Sequence, residues 1–207
     1  MGAGGAETTA DDVGFLSKVI DDMIARESVN PQRVYVAGQS NGGMMSYRMA
    51  LELSDKVAAI GAVIANVPSP SDCTGTLSRG VSVLIMNGTA DPLMPWDGGI
   101  AGQGGLVLSA EPSRDFWISA MNTGLTPSVS RDLPDLDTED SSTVILETYL
   151  GGDDGAEVAF YTVTGGGHIM PSQEFTVSEL AQVILGPHNR DIEGSKVIWD
   201  FLKRFSL

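Results

Sequence analysis

The chain has 207 residues, room for one domain with a buried core, and its 42% hydrophobic and 19% charged content is that of a globular protein. Its net charge of −15, with only four lysines, argues against nucleic acid and anionic membrane surfaces as partners. A single cysteine, Cys73, rules out a disulfide within the chain, and no metal-ligand cluster with usable spacing is present.

Met1-Gly2-Ala3-Gly4-Gly5 reads as loop. Residues 1–10 lack the basic start and apolar core of a signal peptide, and no run is long enough to span a bilayer. Thr9-Ala10-Asp11-Asp12 predicts a capping box. The helix behind it carries Val13, Leu16, Ile20, Met23 and Ile24 on one face and stops at Asn30-Pro31. Arg33 to Ala37 predicts a strand that runs into Gly38-Gln39-Ser40-Asn41-Gly42 and then a Met-rich helix over 41–53. Gly-x-Ser-x-Gly between strand and helix places a serine on a tight turn with its hydroxyl outward. A Cβ at Gly38 or Gly42 is expected to clash there. The helix N-terminus aims unpaired N–H groups at the same point.

Residues 57–65 predict a strand, followed by a Pro/Ser loop holding Cys73 and a second buried-type strand from Val81 that ends near Asp91-Pro92. Residues 92–108 are glycine-rich and are expected to hang over the site as a mobile substrate loop. Within them Trp96 either contacts substrate or packs the loop onto the body. A helix over 109–122 ends at Gly124. The run Asp132, Asp135, Asp137, Glu139 and Asp140 reads as a solvated linker, with calcium as a minor alternative. Strands over 144–150 and 158–164 form a hairpin around Asp153-Asp154-Gly155. A last helix from Gly194 buries Val197, Ile198, Phe201, Leu202 and Phe205. Alternating strand and helix at this spacing predicts a mostly parallel sheet, in one domain over 1–207.

A serine hydroxyl is a weak nucleophile that needs a base within hydrogen-bond reach and a group to hold that base. The chain has two histidines. His168 follows an apolar strand on Gly165-Gly166-Gly167, where it can reach another strand end; His188, in Gly186-Pro187-His188-Asn189-Arg190, reads as a solvated loop residue. Among 27 acidic residues Asp91 stands out, because a parallel sheet puts the end of its strand on the same edge as Ser40. An Asx-turn before Pro92 is its alternative role, and Asp97, Asp153 and Asp154 look like turn residues. The order Ser40, Asp91, His168 is the nucleophile–acid–histidine order of α/β-hydrolases.

These stretches, with Asp11-Asp12-Val13-Gly14-Phe15-Leu16, Asn87-Gly88-Thr89-Ala90-Asp91-Pro92 and the tail from Arg190, make the chain resemble the polyhydroxybutyrate depolymerase and feruloyl esterase family of α/β-hydrolases. The resemblance covers nearly the whole sequence. It implies an α/β-hydrolase-type three-layer sandwich and a cofactor-free serine carboxylic-ester hydrolase acting on feruloyl, acetyl or hydroxyalkanoate esters. It implies Ser40 as nucleophile, Asp91 as orienting acid, His168 as base and the Asn41 N–H as an oxyanion donor. Gln39 and Trp96 are the candidate substrate contacts. An extracellular location follows by resemblance only. The chain departs from the family in having Met170, where an aromatic residue is common, and in having a single cysteine. It also starts near the helix before the nucleophile strand, so the usual first strands and the His-Gly oxyanion loop are expected to be lacking. That would leave Arg33 to Ala37 as a sheet edge, which a homo-oligomer is expected to cover. Two other readings stay open: an impaired remnant that binds without turnover, and an acyltransferase using the same serine.

Overall fold

The protein is described by a computed structural model, which covers residues 10–69, 77–102 and 105–207. Thr9 of the expected capping box and Cys73 lie outside these residues. The first helix, α1 (Asp12–Arg26), is instead capped by Asp11, whose Oδ1 accepts from the Gly14 N–H at 2.8 Å. Strand β1 (Tyr35–Gln39) then leads into α2 (Asn41–Glu52) and β2 (Ala59–Val63). Strand β3 (Ser82–Gly88) follows, then a two-stranded ribbon of β4 (Gly99–Ile100) and β5 (Leu106–Val107), and α3 (Ala110–Met121). The C-terminal half adds β6 (Val129–Asp132), β7 (Thr143–Tyr149), β8 (Val158–Thr164), α4 (Glu179–Leu185) and α5 (Gly194–Leu202).

The main sheet has the order β1-β2-β3-β8-β7-β6. The first four strands are parallel neighbours, while β7 and β6 run antiparallel. The sheet is therefore mostly parallel, with an antiparallel extension. The hairpin expected around Asp153 is β7–β8, turned through a short 3₁₀ segment over Asp153–Gly155.

The central strands β2 and β3 are buried along their full length, as strands covered on both faces must be. Their alternation divides the core in two. Ile60, Ala62, Val83 and Ile85 pack with Met44 and Tyr47 of α2 and Trp117 and Ile118 of α3. Ala59, Val63, Leu84 and Met86 face the other way and meet Ile198, Phe201 and Leu202 of α5. These are the three layers of the expected sandwich. Val197 and Phe205, expected to be buried on the last helix, are half-buried against that second core. Gly61 belongs to this packing, since a Cβ there would press on Ile198 at 3.0 Å.

Three elements depart from expectation. β6 lies in a stretch whose side chains are all exposed, so no apolar alternation announces it. α4 buries none of its residues. The glycine-rich segment 92–108 is tied to the body by the β4–β5 ribbon, a bridge between Pro68 and Val107, and the Ser69 N–H to the Leu106 carbonyl at 2.8 Å. Among the described residues no helix is long and apolar enough to cross a membrane.

Candidate active site

Ser40 sits at the junction of β1 and α2 with φ 55° and ψ −119°, in the region that side chains other than glycine rarely adopt. The junction explains the strain. A Cβ on Gly38 would overlap the backbone of Gly42 and lie 2.8 Å from its Cα, so strand and helix meet closer than any larger residue allows. Gly42 differs from expectation, because a Cβ there would meet nothing within 4 Å. The second tight position is Gly43, where a Cβ would come within 2.5 Å of the Ala65 side chain. The Ser40 N–H is fixed to the Val63 carbonyl at 2.8 Å. Although Ser40 occupies the N-cap of α2, its hydroxyl does not cap the helix. It is held at 3.1 Å by His168 Nε2.

His168 lies four residues beyond β8, and Asp91 three beyond β3. Because β1, β3 and β8 are parallel, all three residues emerge on one edge of the sheet. His168 Nδ1 is 2.8 Å from Asp91 Oδ2. A carboxylate only accepts, which assigns the proton to Nδ1 and leaves the Nε2 lone pair facing Ser40. The other Asp91 oxygen, Oδ1, accepts from the Leu93 and Met94 N–H groups at 2.8 and 2.7 Å. The Asx-turn and the histidine contact are thus both present, one on each oxygen. The Asp91 side chain is almost fully enclosed, and that of His168 slightly less so.

The loops carrying these residues are cross-braced. Thr89 Oγ1 accepts from the Gly165 N–H at 2.9 Å, and the Ala90 N–H donates to the Gly166 carbonyl at 2.9 Å. The end of α4 and the turn after it grip the histidine loop from outside. The His168 N–H donates to the Leu185 carbonyl at 2.5 Å and the Gly167 N–H to the Pro187 carbonyl at 2.8 Å. Asn87 and Asn66 form a buried pair below the site, Nδ2 of Asn87 donating to Oδ1 of Asn66 at 2.8 Å. Asn87 Oδ1 also accepts from the Ala65 N–H at 2.9 Å, and Asn66 Nδ2 donates to the Pro95 carbonyl at 3.0 Å. Sequence reasoning passed over this brace. Its one signal was an amide inside an otherwise apolar strand.

Among the other candidates, Gln39 is exposed at the end of β1, next to Ser40. Trp96 packs onto the body, its ring 5.9 Å from that of Phe160, and its carbonyl accepts from the first N–H of α3 at 2.8 Å. His188, expected in solvent, is 3% exposed. Neither of its ring nitrogens has a hydrogen-bond partner, and Phe175 meets it edge-on at 6.4 Å. Burial lowers its pKa below the usual histidine value. The nearby Met170 backbone partly offsets this without reaching hydrogen-bond geometry, and Arg190 adds to the lowering.

The acidic run also differs from a free linker. Asp191 Oδ1 accepts from the Leu136 N–H at 2.7 Å, and Asp140 accepts from the Ser142 and Arg190 N–H groups at 2.7 and 2.8 Å. The run is pinned to the segment before α5. Among the described residues no group of three or more His, Cys, Asp or Glu side chains is arranged to hold a metal.

No family model matches the chain. It is 30% identical over 92% of its length to NocK of Nocardia uniformis subsp. tsuyamanensis, which is provisionally named an esterase, and spans 57% of that protein. It is 28% identical over 97% of its length to feruloyl esterase B of Piromyces equi, of which it spans 32%. The chain thus covers little more than half of the first relative and a third of the second. Among solved structures, a thermostable esterase superposes on 96% of the chain with a TM-score of 0.50 at 12% identity, and 38% of that protein is covered. At such low identity this likeness speaks to the fold, which is of the α/β-hydrolase type.

Proposed function

We propose that the chain, which is similar in sequence to esterases and feruloyl esterases and in fold to an esterase, is a serine carboxylic-ester hydrolase. The observation that carries this reading is the hydrogen-bonded chain Ser40–His168–Asp91, with the serine on a strained strand-to-helix turn. His168 Nε2 takes the hydroxyl proton as Ser40 Oγ attacks the ester carbonyl. Asp91 holds the imidazole and stabilises its protonated form. The oxyanion that develops lies at the N-terminus of α2, where the Asn41 N–H is the donor. The tetrahedral intermediate collapses by breaking the bond to the alcohol oxygen, which takes the proton from His168. An acyl-serine remains. Water then attacks it, giving its proton to His168, and the acid leaves as the proton returns to Ser40.

The relatives' names favour esters of hydroxycinnamic acids such as ferulic acid, with acetyl esters as smaller substrates of the same chemistry. Hydroxyalkanoate esters stand further off. Gln39, next to Ser40 in the chain, and Trp96, in the loop after Asp91, are the candidate substrate contacts. The test is hydrolysis of p-nitrophenyl acetate and methyl ferulate by the protein and by Ser40→Ala. Wild-type turnover that falls by about 10⁴-fold or more in the variant is expected. Equal rates for the two proteins would sink the reading.

A further inference from the structure

Between the serine turn and the acid loop the chain makes a strained corner at the end of β2. Ile64, a β-branched residue, stands at φ 43°, where such side chains are genuine outliers. Strain of this kind persists only where the surroundings over-determine it. Here they do. The Ile64 N–H donates to the Met86 carbonyl at 2.7 Å. The next residue, Ala65, has both backbone groups met by side chains. Its N–H donates to Asn87 Oδ1 at 2.9 Å, and its carbonyl accepts from the Tyr47 hydroxyl at 3.0 Å.

The corner touches both halves of the candidate site. On one side is the serine turn. The Val63 carbonyl accepts from the Ser40 N–H at 2.8 Å, Ala65 leaves Gly43 no room for a side chain, and Tyr47 belongs to α2. On the other side is the acid loop. Asn66 Nδ2 donates to the Pro95 carbonyl at 3.0 Å, which also accepts from the Gly98 N–H at 3.0 Å. Leu93 and Met94, just before Pro95, donate their N–H groups to the Asp91 oxygen that does not face His168. What holds Pro95 therefore holds the aim of Asp91.

We propose that Asn66 is a positioning residue, fixed by Asn87 and acting through Pro95 on the Asp91–His168 pair. The role rests on the reading of the site as that of a serine ester hydrolase. The amides fit together in one way. A backbone N–H only donates, so the Asn87 atom facing Ala65 is oxygen. Its nitrogen then faces Asn66 at 2.8 Å, and Asn66 must present oxygen there. Asn66 Nδ2 is left for Pro95, whose carbonyl only accepts. Both ends of this relay are anchored on backbone, and a flip of either amide sets like groups against each other. Asn66 is 1% exposed and Asn87 3%, so bulk water does not replace a lost partner.

The test compares three variants of the full chain with the wild type. Asn66→Ala removes the amide. Asn66→Asp keeps its shape and its acceptor for Asn87 but sets a carboxylate against the Pro95 carbonyl. Ser113→Ala removes the buried hydroxyl that accepts from the Val67 N–H at 2.9 Å, one residue along the same segment. That bond ties the segment to α3 and not to the acid loop, so the variant controls for lost stability. Rates on p-nitrophenyl acetate are taken below the unfolding temperature of each protein. Both Asn66 variants are expected to lose about 10²-fold in kcat, with KM within about twofold. Ser113→Ala should unfold more easily but keep both constants. Low-temperature proton NMR reads the same geometry without turnover. The wild type should show the His168 Nδ1 proton far downfield, as a proton bonded to a carboxylate is. The Asn66 variants should lose or broaden that signal, and Ser113→Ala should keep it. A kcat loss no larger than in Ser113→Ala, or an unaltered Nδ1 signal in both Asn66 variants, would overturn the proposal. So would failure of both variants to fold, since the amide would then serve folding and not aim. A wild type that shows the signal but hydrolyses no ester would count against the hydrolase reading instead, and the signal alone would still judge Asn66.

Discussion

Among the described residues β1 and β6 are the outermost strands of the same sheet, and their chemistry is opposite. β6 is Val129-Ser130-Arg131-Asp132, four exposed residues ending in two charges and paired antiparallel to β7. A short charged strand of this kind is how sheets blunt an edge against unwanted pairing. β1 is Tyr35-Val36-Ala37-Gly38-Gln39, uncharged, and runs straight into the strained Ser40. None of the candidate site residues directly follows β6, while β1 runs directly into the nucleophile candidate. The difference teaches that the candidate site belongs to the apolar, parallel part of the sheet and not to its charged, antiparallel extension.

If that contrast is right, the largest effects should come from the loops at the carboxyl ends of β1, β3 and β8, and β6 should be silent. Asp91→Asn keeps the shape of the side chain but lets the amide donate to His168 Nδ1. The imidazole then flips to the tautomer whose Nε2 carries the proton and faces Ser40. Turnover of a p-nitrophenyl ester should fall by about 10⁴-fold, with little change in KM. Arg131→Ala on β6 is the matched control and should leave both constants unchanged. Equal losses in the two variants would break the contrast.

The second effect is structural and sits inside the turn. At Gly38 an alanine Cβ would overlap backbone atoms of Gly42, and backbone cannot rotate aside as a side chain can. Gly38→Ala should cost about 1–3 kcal/mol or more of unfolding free energy and lower activity by displacing Ser40. Gly42→Ala meets open space, and its stability should stay within about 1 kcal/mol of the wild type. Chemical denaturation of the two variants side by side checks this. Similar losses for both would mean that the turn relaxes where the packing says it cannot.

Much of this was legible in the sequence because it depends on local pattern. Gly38-Gln39-Ser40-Asn41-Gly42 announces its own geometry, and each of the three site residues follows an apolar strand whose direction puts it on a shared edge. The parallel part of the sheet could be read for the same reason, since strands buried on both faces are continuous apolar runs. What escaped depends on contacts across the chain. β6 is a strand because β7 offers it a ladder, not because Val129 to Asp132 alternate. Gly42 looked crowded because the motif treats its two glycines alike, yet only Gly38 lies under the helix backbone. The Asn66–Asn87 brace and the grip of the Leu185 and Pro187 carbonyls on the histidine loop join residues 17 to 21 positions apart. No spacing rule reports such pairs.

His188 gives the smallest effect and tests the same boundary from within. It follows Pro187, whose carbonyl holds the Gly167 N–H, and so it lies against the loop that positions His168. Burial holds its pKa below the usual value of 6.5, with Arg190 acting in the same direction and Asp140 and Glu193 against it. The folded protein therefore resists a proton that the unfolded chain accepts readily. This residue costs no stability above about pH 6.5, where both states are neutral. As pH falls below that value the unfolded state gains its proton first, and stability declines until pH reaches the depressed folded pKa, below which the slope vanishes. Thermal unfolding between pH 8 and 5 should show this decline in the wild type. His188→Phe, which keeps a ring against Phe175 and removes the titration, should flatten that component. The ester hydrolysis rate at pH 8 should hardly change, because His188 touches neither Ser40 nor Asp91. A variant that keeps the full acid slope would place the titrating group elsewhere. One that loses activity at pH 8 would show that the segment after α4 does more than hold the histidine loop in place.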